Sequence, residues 1–135
     1  MKKLILAILA AIVGMFVIAP IASAADVYEG YSRVGSVTAT SGGKYAIKVG
    51  YSNAGYTKPS YGGKWDVYEG YSKVGYAKRS YGGNWDLYEG YSKVGSIKPG
   101  NGGKWQVYQG YSSVGSVKGG PGGPAAGAAL LLLVG

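Results

Sequence analysis

A Gly-Tyr-Ser step recurs every twenty residues, beginning at Gly30, Gly50, Gly70, Gly90 and Gly110, with no insertion or deletion to interrupt the period. A chain that repeats at a fixed short period makes one supersecondary unit several times. It must then pack the copies together to bury what a single copy cannot. Three residues beyond each Ser stands a second glycine, at Gly35, Gly55, Gly75, Gly95 and Gly115, and each copy closes on a glycine pair, from Gly42-Gly43 to Gly122-Gly123.

The unit is clearest in the third copy, "KWDVYEGYSKVGY" from Lys64 to Tyr76. Aromatic and β-branched residues on both sides of "EGYS" read as two short strands joined by a tight turn. With Gly70 and Tyr71 at the turn centre, Tyr68 faces Lys73, Val67 faces Val74, Asp66 faces Gly75 and Trp65 faces Tyr76. Side chains alternate along a strand, so this register sets Trp65, Val67, Val74 and Tyr76 on one apolar face and Asp66, Tyr68, Lys73 and Gly75 on a mixed one. The same slots give Trp85, Leu87 and Val94 in the fourth copy and Trp105, Val107 and Val114 in the fifth as expected core. For the glycine at the Gly75 slot, the expected partner is the Tyr68 ring packing flat on the bare backbone. The glycine pairs read as turns between hairpins, where positive φ is needed.

A lone hairpin is marginal in water. A linear stack of hairpins would need polar capping copies at its ends, which this chain lacks. A ring of hairpins leaves no free edge. The expectation is therefore an all-β domain over 25–123, five tandem twenty-residue hairpins closed around a pseudo-five-fold axis. The segment 124–135 changes character to "PAAGAALLLLVG". Pro124 is suited to open a helix, and ten residues from Ala125 to Val134 span about 15 Å at 1.5 Å each, half a bilayer core. A short helix that is apolar all round belongs inside something, here the centre of the ring. The alternative is membrane contact through Leu130, Leu131, Leu132 and Leu133.

The N-terminus has a different purpose. Lys2 and Lys3, an apolar run from Leu4 to Ile18, Pro20 and the small residues Ala22-Ser23-Ala24 form a secretory signal with cleavage expected after Ala24. Export to a periplasm or the extracellular space follows. Removing Lys2 and Lys3 leaves 12 of 14 basic residues against 6 acids, a net charge of +6. Acidic envelope polymers or cell-wall glycan are suitable partners; nucleic acid is not, because the charge is spread over the repeats rather than gathered in a stripe. Cysteine is absent, so packing alone must hold the domain.

Chemistry is thinly provided. Without His or Cys the commonest general base and a common nucleophile are missing, and no metal or cofactor is expected. The six acids occupy two slots in three copies, but those slots are Ala46 and Val49 in the second copy and Gln106 and Gln109 in the fifth. Asp66 reads instead as a cross-strand ion-pair partner of Lys73. Aromatic residues are plentiful by contrast, and Tyr31, Tyr51, Tyr71, Tyr91 and Tyr111 sit at turn tips, where both ligand stacking and packing on the next hairpin suit them.

Taken with the signal segment and the Ala/Leu tail, the copies of "WD(V/L)YEGYSKVG" resemble the bacterial five-fold β-flower proteins over residues 26–134. The resemblance implies five hairpin petals and brings no catalytic residues. A more distant similarity is to choline-binding cell-wall repeats, which hold ligands between neighbouring aromatic hairpins, although their double-Tyr strand is missing here. The second copy departs most, with Tyr45, Ala46, Ile47, Lys48 and Val49 against Trp65, Asp66, Val67, Tyr68 and Glu69. The expected role is structural or adhesive in the envelope, without enzymatic activity. One alternative is a carbohydrate-binding module using the tip tyrosines with Lys73, Lys78 and Lys93; another is a membrane-associated protein held by its C-terminal leucines.

Overall fold

The computed structural model describes residues 25–134. The expected leader and its cleavage point after Ala24 lie outside the described residues. Ten antiparallel strands form a closed meander: β1 (Ala25–Glu29), β2 (Ser32–Ala39), β3 (Tyr45–Val49), β4 (Ser52–Pro59), β5 (Trp65–Glu69), β6 (Ser72–Arg79), β7 (Trp85–Glu89), β8 (Ser92–Pro99), β9 (Lys104–Gln109) and β10 (Ser112–Lys118). Each strand pairs with its sequence neighbours and β1 pairs with β10, so the five hairpins close into a barrel without a free edge. An α-helix, α1 (Gly122–Leu132), runs through its centre.

Two kinds of turn define the two ends. Within each hairpin the two-residue loop has its glycine at positive φ, 62° to 66°, and its tyrosine at negative φ, the pattern of a II′ loop that matches strand twist. Between hairpins a short 3₁₀ turn uses both glycines of the pair at positive φ, as at Gly62 (71°) and Gly63 (79°). The fifth pair behaves differently. Gly119 and Gly120 make the turn there, while Gly122 and Gly123 become the first turn of α1 because tryptophan rings leave no room for a Cβ at either position.

The hairpin register corrects the sequence expectation by one residue. Tyr68 does face Lys73, but Val67 faces Gly75, Asp66 faces Tyr76 and Trp65 faces Ala77. A β-bulge at Val74 inserts the extra residue, and the same shift recurs in all five hairpins. A one-residue slip turns every later side chain to the other face. Gly75 and Ala77 therefore point inward with Trp65 and Val67, while Tyr76 turns outward. Val74, Val94 and Val114 are only partly buried at the bulge, packed against the edge of the core.

The barrel lining now resolves into rings of five. Val27, Ile47, Val67, Leu87 and Val107 form one fully buried ring, and Val37, Thr57, Ala77, Ile97 and Val117 form the next. Level with the first ring lie the five bulge glycines, and the expected ring of Tyr68 over Gly75 is not what fills that space. A Cβ on Gly75 would collide with the Tyr88 carbonyl oxygen of the next hairpin and approach Leu130 Cδ2 to 2.9 Å. The same carbonyl lies beside each of the other four, ending with Tyr28 against Gly115 across the closure.

Each bulge glycine also receives one aliphatic side chain from the tail: Gly35 takes Leu132, Gly55 Leu131, Gly75 Leu130, Gly95 Val134 and Gly115 Leu133. A regular α-turn holds 3.6 residues, so five successive side chains would not radiate evenly. Here the helix ends as the Ala129 carbonyl accepts from both the Leu133 N–H at 2.9 Å and the Val134 N–H at 3.1 Å, and Leu133 and Val134 leave the regular helical course. Five residues thus serve five hairpins. Nearer the helix start only small residues fit, as at Gly127 against Thr57, whose hydroxyl donates to the Asp66 carbonyl at 2.8 Å.

The second hairpin keeps the architecture despite its altered sequence. Its bulge is in register, Ile47 and Val49 are fully buried, and Tyr45 meets the Trp65 ring edge-on at 5.8 Å.

Candidate functional site

In a closed meander all five tight loops lie at one end of the barrel and the 3₁₀ turns at the other, and each end has its own aromatic set. At the loop end Tyr31, Tyr71, Tyr91 and Tyr111 are fully exposed and Tyr51 is 53% exposed. The loop geometry holds four of the rings out in solvent, while Tyr51 is about half covered. Beneath them are clefts between neighbouring hairpins. Lys73, Val74, Gly75 and Tyr76 face Gly90 and Tyr91 across a cleft of about 270 Å³. Lys93, Val94, Gly95 and Ser96 face Gly110 and Tyr111 across one of about 340 Å³. The same pattern places Asn53, Ala54, Gly55 and Tyr56 opposite Gly70 and Tyr71, in a cleft of about 450 Å³ that Thr40, Lys44 and Ala46 extend. The bulge creates these clefts, because an extra residue at Val74 or Val94 bends the strand away from its neighbour.

Among the described residues, three of the four basic residues flanking the tight loops are paired, Lys48 of the second hairpin being the exception. Lys73 lies 3.1 Å from Asp66 Oδ1, Lys93 lies 3.2 Å from Asp86 Oδ1, and Arg33 Nε donates to Asp26 at 3.0 Å. In the fifth hairpin the same two slots hold Gln106, whose amide donates to the Ser113 hydroxyl at 2.8 Å. The cross-strand pair at this position is therefore part of the hairpin. It also leaves the clefts close to neutral, with aromatic faces as their main resource.

The outer wall of the barrel is polar and aromatic. Tyr56 stacks on Tyr68 at 4.8 Å and Tyr76 on Tyr88 at 4.9 Å, both nearly parallel. Lysines cover these rings, with Lys58 over Tyr68, Lys64 over Tyr76, Lys98 over Tyr108 and Lys118 over Tyr28, each about 5 Å from the ring centre. A lipid-facing barrel needs an outward apolar band and strands of about nine residues or more. These strands have five to eight, and their outward slots hold Lys, Asp, Tyr and Ser. The leucines of the expected membrane contact, Leu130 to Leu133, are fully buried inside the barrel, and no helix among the described residues is long and apolar enough to cross a membrane.

The structure divides the residues that sequence reasoning had grouped. Lys73 and Lys93 do lie beside the tip tyrosines, but Lys78 is at the opposite end. There, Trp65, Trp85 and Trp105 occupy the last inward slot of their strands, where the inward direction leads to the barrel mouth as much as to its core. Trp85 is buried and the other two are half-buried. Together with Lys78, Arg79, Pro99, Pro121 and Gly122 they line an open cavity of about 720 Å³. Tyr61 and Tyr81, both exposed, stand on the 3₁₀ turns at its rim. Sequence reasoning missed this rim, although tyrosine before the glycine pair in only the second and third copies was a visible signal. Comparison with known proteins returns nothing: no family model matches the chain, and no curated protein and no solved structure matches it.

Proposed function

We propose that this chain is an exported, non-enzymatic carbohydrate-binding module that grips cell-wall glycan by stacking sugar rings on its tip tyrosines, with the three inter-hairpin clefts at Tyr71, Tyr91 and Tyr111 as related subsites. The observation that carries the reading is the exposure of the tip rings at one end of the barrel, with Tyr71, Tyr91 and Tyr111 each beside a cleft. Large amphipathic rings held in solvent have no packing role there, and they offer rigid area for the flat CH faces of sugars. Repetition matters as well, because several weak subsites on one polymer raise avidity without any new contact. The purely structural role has less support: a closed barrel has no unpaired strand through which copies could join edge to edge. Five hairpins in a closed ring also favour placing the chain among the β-flower proteins it resembles.

The test is retention of the exported protein on isolated cell-wall glycan across a salt series, beside a variant with all five tip tyrosines changed to alanine. Because Arg33, Lys73 and Lys93 are paired, binding should persist at about 1 M salt, where the Debye length is about 3 Å, and disappear in the folded variant. Retention lost with salt equally in both proteins would reduce the interaction to bulk charge and overturn the assignment.

A further inference from the structure

The tryptophan-lined mouth at the other end is a second site of different chemistry, and we infer that it binds an acidic sugar unit, a pyranose carrying a carboxylate. Three indoles converge on one cavity, and they are the only tryptophans in the chain. A cavity of about 720 Å³ is within the range of small-ligand sites, which are mainly apolar with a few convergent polar groups. The polar groups here have one sign of charge. Lys78 and Arg79 are exposed at the cavity wall, and neither has an ion-pair, hydrogen-bond or ring partner among the described residues. They differ in this from Lys73 and Lys93, held by Asp66 and Asp86, and from Lys58 and Lys98, held over tyrosine rings.

The indole N–H groups add a second requirement. Trp105 Nε1 donates to the Gly120 carbonyl at 3.2 Å, whereas Trp65 and Trp85 Nε1 have no protein acceptor among the described residues. An occupant therefore needs a flat apolar face for the indoles, hydroxyl oxygens for the two free N–H donors, and a carboxylate for a guanidinium and an ammonium. A uronate satisfies all three. A neutral sugar leaves the cations unanswered, and a simple carboxylate leaves the indoles unanswered. No acidic side chain lines the cavity, and Asp86, opposite Lys78 across the strand pair, is held by Lys93.

Because every tryptophan lies at this mouth, intrinsic fluorescence reports this site and not the tyrosine tips. The experiment is a titration of the exported protein with galacturonate trimer, beside a neutral galactose trimer. The two proteins compared with wild type are Lys78→Gln/Arg79→Gln and the five-tyrosine tip variant. The expected result is a saturable indole response to the acidic trimer, weakened about tenfold or more in the Lys78/Arg79 variant, as loss of charge-assisted hydrogen bonds implies. The tip variant should titrate like wild type. Absence of a saturable response overturns the inference, as does equal affinity for the neutral trimer or unchanged affinity in the Lys78/Arg79 variant. A response that vanishes in the tip variant places the sugar at the loop end and overturns it too. Retention on cell-wall glycan is read separately, so either site can fail without the other.

Discussion

At the scale of single residues the decisive positions are those without a side chain. Gly75 sits where a Cβ would meet a backbone carbonyl on one side and a leucine methyl on the other, and a carbonyl within a strand pair cannot be repacked as a side-chain end can. Gly75→Ala should therefore cost about 3 kcal/mol, read from thermal or urea unfolding. Tyr71→Ala, four residues away in sequence, removes an exposed ring and should change stability by no more than about 0.5 kcal/mol while contributing to the loss of glycan retention. If instead Tyr71→Ala destabilised the fold strongly, its ring would be packing on the barrel in solution.

Among the elements, the tail helix is what the strands are built to enclose. Leu132→Ala should cost about 2–5 kcal/mol, the range for a buried leucine. Deleting residues 125–135 should abolish the cooperative thermal transition and expose the apolar lining to a hydrophobic dye; a truncated protein that still melted sharply would show the barrel to be self-sufficient. Most of this element order was legible in the sequence. The twenty-residue period, the Gly-Tyr loops, the ring closure and the central helix all follow from glycine placement and apolar patterning. The bulge was not legible, because alternation assumes one residue per step. Val74 looks like a core residue by type; only the fit of Gly75 against Tyr88 and Leu130 shows that it is the inserted one. Once that step is missed, Tyr76 moves to the wrong face and its stack on Tyr88 becomes invisible. The tryptophans illustrate a different limit. Their inward slots are correct, but an inward slot at a strand end opens on the mouth, and where a barrel ends is a property of three dimensions.

For the whole molecule, the antiparallel meander separates the two proposed binding surfaces by the length of the barrel. One offers three aromatic clefts between successive hairpins, the other a single cationic, indole-walled cavity. Their salt responses should differ accordingly: binding at the loop end should be nearly insensitive to ionic strength, and binding of the acidic trimer at the mouth should weaken steadily as salt screens Lys78 and Arg79. Protein already held on cell-wall glycan should still give the indole response to galacturonate trimer, because the two surfaces do not share a residue. Loss of that response on immobilised protein would mean that the ends compete. The pairing of Leu130 to Val134 with the five bulge glycines has a consequence of another kind. Tandem copies of twenty residues could in principle be gained or lost without disturbing any single hairpin. The tail permits no such freedom: a sixth petal would face a void, and a ring of four would leave one aliphatic side chain homeless. The tail works as a gauge that matches the copy number of five.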